Sequence, residues 1–304
     1  MPEEDLLTKD RAKPAPPTAR LYPLSALVAD AVADAERRHD ARQAGRPLGP
    51  TTGLRALDRE LGAALAEGLH VLHGAPGAGK TAFALQVACS CQCPALYLTC
   101  EMGPVELLRR IAARVTGEYL GRFKTGEQSP DTARRLFTEA ASAAPLVCIL
   151  DATCAPVRPG ELLDFAQAAR NVAPDNPHLL IVVDSVHSWA RAWQADATEY
   201  ETLNAGLSAL RELAQRLGAA VVGIGERNRA NRDGGLSATA GTRVFEYGSE
   251  TLLSLERDKD ARPDAQDELP ISLRMEKNRH GVPGKVIHLH FKGACQTFRE
   301  DPIQ

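Results

Sequence analysis

The chain has 304 residues and a formal net charge of −3, with 44% hydrophobic and 25% charged residues. This composition is typical of a soluble globular protein, and the charge excludes a general attraction to nucleic acid, so any such binding requires a local basic surface. No apolar run approaches the length of a membrane span, and residues 1–20 lack the apolar stretch of a signal peptide. We therefore expect a cytoplasmic protein that does not enter a membrane.

The N-terminal part is predicted to hold a tail, a helix and a linker. Residues 1–20 mix charges with prolines, so we expect them to be disordered. Residues 24–40 place apolar side chains at helical spacing, and glycines and prolines follow between 41 and 52. We assign 21–50 to this helix and linker, and 51–304 to the main domain. The apolar stripe of the helix needs a surface, either on its own chain or on a neighbouring subunit.

The most specific motif is the P-loop, residues 74–81, which reads G-A-P-G-A-G-K-T and fits G-x-x-x-x-G-K-[ST]. Apolar residues precede it like a buried strand and follow it like a helix, so its backbone N–H groups would surround phosphates at a helix N-terminus. Lys80 is expected to reach the β- and γ-phosphates, and the Thr81 hydroxyl to hold Mg²⁺. The predicted nucleotide-binding residues are Gly74, Ala75, Pro76, Gly77, Ala78, Gly79, Lys80, Thr81 and Ala82.

Strands and helices are predicted to alternate beyond the P-loop. The expected strands are 95–98, 146–150, 179–183 and 219–224. The expected helices are 104–115, 132–141, 160–170 and 201–217. Short strands are expected near 252–253, 271–273 and 286–291. This order predicts an α/β fold with a mostly parallel sheet, helices on both faces and a β-rich C-terminal extension.

Two carboxylates follow predicted strands. Asp184 ends the apolar run 179–183 as a Walker B acid would, and we expect it to order the Mg²⁺ shell; the alternative is a surface turn. Glu101 follows strand 95–98 and is the candidate for activating water; the alternative is a glutamate favoured at a helix N-terminus. Because ligands bind at the carboxyl ends of parallel strands, both side chains should lie beside the P-loop.

Two basic segments lie in the C-terminal third. Residues 277–281 are expected to form a turn in which Lys277 and Arg279 point the same way and offer cations to a phosphate, including one in another subunit. The alternative is a solvated turn. Residues 226–243 are rich in small side chains and predict either a loop that approaches a nucleic-acid backbone or a mobile solvated loop. The arginines expected to contact DNA from this segment are Arg229, Arg232 and Arg243.

These motifs, in this order, resemble the C-terminal ATPase domain of the DnaB-type replicative helicases, a RecA-like family, over residues 22–299. Glu101 and its neighbours are similar to the family's "SLEM", and residues 277–281 to its "KNRNG". Other similar segments are the lead-in 51–58, the P-loop and its continuation to residue 85, and the Walker B strand 181–184.

The resemblance implies a RecA-like fold, with ATP as the nucleotide and Mg²⁺ as the metal. It implies that Glu101 is the catalytic base and that Lys277 and Arg279 reach the ATP site of the neighbouring subunit. The helix 24–40 stands where the family has a helix that docks on the adjacent subunit. The implied assembly is a head-to-tail ring, expected to be hexameric, that translocates on single-stranded DNA held by the arginines of segment 226–243.

Three departures from the family pattern keep alternatives open. Too little chain precedes the helix 24–40 for the family's N-terminal domain, so we expect that domain to be missing. Glu226 replaces the glutamine that senses the γ-phosphate in the family. Residues 240–246 depart from the usual helicase sequence and look somewhat like the RadA recombination ATPases. The alternatives are therefore a RadA-like recombination or repair ATPase, and an ATP-gated assembly protein without unwinding activity.

Overall fold

The structure is a computed structural model, and it describes residues 21–194, 196–226, 245–246, 248–257 and 261–301. The chain divides into two compact units, Met1–Arg46 and Pro47–Gln304. The prediction of disorder for residues 1–20 falls outside the described ranges. Among the helices in those ranges, each is too short or too polar to cross a membrane.

The first unit contains one short 3-10 turn and one α-helix in its described part. The turn spans Leu24–Leu27, and helix α1 continues it over Val28–Gln43, three residues beyond the predicted end. Asp34 accepts hydrogen bonds from Arg37 and Arg38. These contacts are ion pairs between residues three and four positions apart, which are neighbours on a helix surface.

The second unit is built on one sheet, which has nine strands within the described residues. In chain order they are β1 (Gly68–Gly74), β2 (Ala95–Thr99), β3 (Val147–Asp151), β4 (Leu180–Asp184), β5 (Ala220–Glu226), β6 (Thr251–Arg257), β7 (Leu269–Asn278), β8 (Val286–Lys292) and β9 (Thr297–Glu300). The spatial order is β3-β2-β4-β5-β1-β6-β7-β8-β9. Pairs from β3 to β6 are parallel and pairs from β6 to β9 are antiparallel. The predicted α/β fold with a β-rich extension is confirmed.

Helices cover both faces of this sheet. They are α2 (Arg55–Glu60), α3 (Lys80–Ser90), α4 (Pro104–Thr116), α5 (Arg122–Thr125), α6 (Pro130–Ala143), α7 (Pro159–Arg170), α8 (Val186–Trp193) and α9 (Glu199–Leu217). Alternate side chains of β4 enter different cores: Leu180 and Val182 pack with Phe83 of α3, whereas Ile181 and Val183 pack with Trp189 of α8. Burial on both faces explains why this strand is a continuous apolar run rather than an alternating one.

The structure corrects the prediction for the segment around Lys277. The sequence predicts a turn over residues 277–281, whereas β7 continues to Asn278 and includes Lys277. Lys277 pairs with Leu252, and Asn278 pairs with Thr251, after a register irregularity in β6. The extra length was missed because charged residues occupy the end of β7 and interrupt its apolar alternation.

Candidate active site

The P-loop joins the carboxyl end of β1 to the first residue of α3. Gly77 and Gly79 have φ angles of +79° and +95°, which a residue with a Cβ rarely adopts. A Cβ on Gly79 would also lie 2.9 Å from Cζ of Phe298, so glycine is needed there for space as well as for conformation. Gln86 of α3 and the backbone of Phe298 exchange two hydrogen bonds, of 2.9 and 2.8 Å, which fix strand β9 against the P-loop helix.

Lys80 lies folded over the P-loop. Its Nζ donates hydrogen bonds to the carbonyl oxygens of Gly74, at 2.9 Å, and Ala75, at 3.2 Å. Burial lowers the pKa of the Lys80 ammonium. The charges that oppose this shift belong to Glu226, Asp184 and Glu101. The ammonium therefore stands among carboxylates, held by neutral carbonyls that a phosphate can replace.

Thr81 and Asp184 meet beside the P-loop, as the sequence predicts. Thr81 Oγ1 donates to Asp184 Oδ2 at 2.8 Å, and the buried Tyr97 hydroxyl donates to the same oxygen at 2.8 Å. Burial raises the pKa of Asp184, and the two hydrogen bonds oppose that shift. A hydroxyl and a carboxylate are hard oxygen donors, the type that Mg²⁺ prefers, so this pair fits the predicted metal.

Glu101 lies at the same edge of the sheet, because β2 and β4 pair in parallel with Thr99 opposite Asp184. Its Oε1 accepts hydrogen bonds from Ser185 Oγ at 3.1 Å and from Ser188 Oγ at 2.8 Å. Ser185 is also the N-cap of α8. Glu101 is exposed, and two hydroxyls orient its carboxylate. This arrangement is suited to positioning a water molecule.

Three of the side chains that arrange this site were not predicted from the sequence. They are Tyr97, Ser185 and Ser188. A serine directly after a strand and before an apolar segment is an N-cap signal, so Ser185 was detectable in principle. The pairing of Tyr97 with Asp184 carries no local sequence signal.

Glu226, the predicted sensor, ends β5 directly beside the P-loop. Its Cα is paired with that of Gly74 across the parallel β1–β5 ladder, and its side chain is exposed. Its sensor role stays a prediction. The predicted DNA contacts Arg229, Arg232 and Arg243 lie outside the described residues.

Lys277 and Arg279 lie near the amino-terminal end of β1, whereas the P-loop follows its carboxyl-terminal end. Thr251 pairs with His70 near the start of β1 and with Asn278 at the end of β7. His70 and Gly74 are four steps apart along β1, which is about 13 Å at about 3.3 Å per step. The structure therefore does not bring these two cations to the P-loop of their own chain.

Both cations have partners at that end of the strands. Lys277 Nζ donates to the carbonyl of Ser249 at 2.7 Å and to that of Glu246. Arg279 Nη1 donates to Glu250 Oε1 at 3.2 Å, and the arginine side chain is 52% exposed. Arg279 is the more accessible of the two.

Comparison with known sequences identifies related proteins. The sequence profile of the family described as "DnaB-like helicase C terminal domain" matches residues 49–300. The replicative DNA helicase DnaB of Treponema pallidum (strain Nichols) is 26% identical over 283 residues, which cover 90% of this chain and 61% of that protein. The chain thus spans less than two thirds of the length of this relative.

Solved structures show a shared fold. One of them, described as an ATPase domain, superposes with a TM-score of 0.76 at 18% identity, covering 91% of this chain and 99% of that chain. A DnaB-like replicative helicase, studied with its interactions with primase, superposes with a TM-score of 0.73 at 16% identity, covering 92% of this chain and 67% of that chain. A KaiC-like protein of Pyrococcus horikoshii superposes with a TM-score of 0.55 at 16% identity, covering 83% of this chain and 98% of that chain. The predicted RecA-like fold is confirmed.

Proposed function

The chain belongs to the DnaB-like helicase C-terminal domain family, as its motifs suggested, and we propose accordingly that it is an ATP-hydrolysing motor that translocates on single-stranded DNA. The observation that carries the proposal is the convergence of the P-loop, Asp184 and Glu101 at one edge of the sheet. That edge is where parallel α/β folds bind ligands.

The residues of this edge divide the work of ATP hydrolysis. Lys80 exchanges its carbonyl contacts for the β- and γ-phosphates, and Thr81 and Asp184 hold Mg²⁺. The metal, when bound, neutralises charge on the phosphates. Glu101 orients the attacking water and accepts its proton, while Ser185 and Ser188 fix the direction of its carboxylate.

The position of Arg279 supports a head-to-tail homo-oligomer. The P-loop and Arg279 lie at opposite ends of the strands, so an ATP phosphate that the arginine contacts would belong to another subunit. Two different surfaces in contact make a heterologous interface, which closes into a ring when the rotation allows. We propose a hexameric ring in which Arg279 acts in trans, with Lys277 beside it. An arginine supplied in this way raises kcat about 10³–10⁵-fold in GTPases.

Glu226 is the proposed link between nucleotide and DNA. It ends β5 next to Gly74, and the arginine-containing segment 227–244 follows it directly. We propose that Arg229, Arg232 and Arg243 contact the DNA backbone in the pore. Because the proposed substrate is DNA, we also propose a cytoplasmic location.

Hydrolysis of ATP by the purified protein, with and without single-stranded DNA at two salt concentrations, tests the proposal. We expect DNA to stimulate turnover, and the stimulation to weaken as salt rises, because phosphate contacts release counterions. Lys80→Ala should abolish hydrolysis, and Lys285→Ala, at an exposed lysine, is the matched control.

A rate of ATP hydrolysis that is the same with and without DNA contradicts the proposed motor and favours an ATP-gated assembly protein. The observation that supports this alternative is the position of Glu226, whose carboxylate replaces a glutamine beside the P-loop. Strand exchange in the absence of unwinding favours a recombination ATPase.

A further inference from the structure

Arg279 contacts Glu250 at two points. The backbone N–H of Arg279 donates to the Glu250 carbonyl at 3.0 Å, and its Nη1 donates to Glu250 Oε1 at 3.2 Å. One residue of the segment before β6 therefore fixes both the backbone and the guanidinium of the arginine.

Glu250 is itself held in place. Its backbone N–H donates to the carbonyl of Leu69 at 2.6 Å, and its side chain is 18% exposed. The side chain lies against Gly68, whose φ is +129°, and a Cβ on that glycine would be 2.5 Å from Glu250 Cγ. A glycine at position 68 thus gives the glutamate its space.

The residues just before Glu250 are also fixed. The ammonium of Lys277 contacts the carbonyls of Glu246 and Ser249, and the Ser249 hydroxyl donates to the Phe245 carbonyl at 2.7 Å. Lys277 therefore holds the segment that carries Glu250, from the same strand that leads to Arg279.

The second oxygen of Glu250 is taken by another residue. Oε2 lies 3.0 Å from Nε2 of His280, and the arginine donates to Oε1. A guanidinium has five N–H donors, and a single contact leaves the others for a phosphate. Arg279 also lines a cavity of about 330 Å³ with Glu67 and Arg211, and its side chain is 52% exposed.

We propose that Glu250 is a positioning residue that orders Arg279 before it meets the ATP of a neighbouring subunit. This inference rests on the proposed action of Arg279 in trans. An arginine side chain has several rotatable bonds, and holding it in one orientation beforehand removes an entropy cost from the transition state.

Steady-state ATP hydrolysis by the oligomer, followed by radiolabelled phosphate release, tests this with Glu250→Ala, Glu250→Gln, Arg279→Ala and the double variant Glu250→Ala/Arg279→Ala. We expect Glu250→Ala to lower kcat about ten-fold, equal to about 1.4 kcal/mol, with KM changed less than about two-fold, because the arginine acts in the transition state. Glu250→Gln keeps an oxygen acceptor and should recover most of the loss. In the Arg279→Ala background, Glu250→Ala should cause no further loss.

Glu139→Ala is the matched control, since it removes an exposed glutamate that pairs with Arg135 on α6. Thermal unfolding and oligomer size are measured for every variant. If Glu250→Ala does not fold, Glu250→Asp alone and combined with Arg279→Ala decides the question, because the shorter side chain withdraws the carboxylate from the arginine. A decrease in kcat that is absent in the combination supports the inference, and an unchanged kcat overturns it.

The outcomes separate the two proposals. Full activity of Arg279→Ala contradicts the trans role itself. A normal or raised kcat for Glu250→Ala, with Arg279→Ala reduced to a measurable residual kcat, overturns only the positioning role. A further ten-fold loss in the double variant overturns it as well, because Glu250 would then act independently of the arginine.

Discussion

Removing the Tyr97 hydroxyl should weaken the metal site without touching the nucleotide. The hydroxyl and Thr81 Oγ1 each donate to Asp184 Oδ2 at 2.8 Å. When Thr81 turns to the metal, Tyr97 remains the contact that orients the carboxylate. We therefore expect Tyr97→Phe to raise the Mg²⁺ concentration needed for half-maximal hydrolysis.

Two estimates agree on the size of this effect. Losing the partner of a metal-binding carboxylate typically costs about 10–100-fold in metal affinity. A hydrogen bond to a charged group contributes about 1.5–3 kcal/mol, which is about 12–160-fold at 25 °C. Because Tyr97 is fully buried, solvent does not screen this contact. The expected rise is about 10–100-fold.

The assay is ATP hydrolysis over a series of Mg²⁺ concentrations, together with nucleotide binding in EDTA. Binding in EDTA should be unchanged, since Tyr97 does not contact the P-loop among the hydrogen bonds that the described residues show. Tyr200→Phe, at an exposed tyrosine of α9, is the control. A folded Tyr97→Phe protein with an unchanged Mg²⁺ requirement would refute the role given to this hydroxyl.

Three other changes at the site have expected outcomes. Burial raises the pKa of Asp184, so ionisation of this carboxyl destabilises the folded protein above the ordinary pKa of about 4. In the absence of Mg²⁺ and nucleotide, Asp184→Asn should therefore unfold at a higher temperature than wild type at pH 7. The difference between the two unfolding temperatures should vanish at and below about pH 4. Ser188→Ala should lower kcat about ten-fold at constant KM, because Glu101 loses an orienting hydroxyl, and an equal rise in KM would contradict this. Lys80→Ala and Arg279→Ala proteins should each hydrolyse ATP far more slowly than wild type when alone, and should recover hydrolysis when mixed before assembly. No recovery at any mixing ratio argues against action in trans.

The parts of the site that sequence predicted are those with a local pattern. The P-loop has a fixed spacing of glycines, lysine and threonine, and Asp184 follows a strand that is apolar because both its faces are buried. From these two features the position of Glu101 follows, since parallel strands end at one edge.

The parts that sequence did not predict depend on contacts between distant segments. Tyr97 reaches Asp184 across 87 positions, and Glu250 reaches Arg279 across 29, with no local signal in either case. Lys277 was placed in a turn because charged residues hide the pairing of its strand with β6. Helix α8 was missed because it has only 8 residues and begins two positions after Asp184.

The support of the P-loop by strand β9 has a consequence for synthesis of the protein on the ribosome. Gln86 of the P-loop helix binds the backbone of Phe298, 212 positions later, and Phe298 also lies against Gly79. A nascent chain that has emerged only as far as β8 carries the whole phosphate-binding sequence but lacks this support. The contacts that hold the P-loop helix against β9 can therefore form only after residue 298 has been synthesised and has left the ribosome.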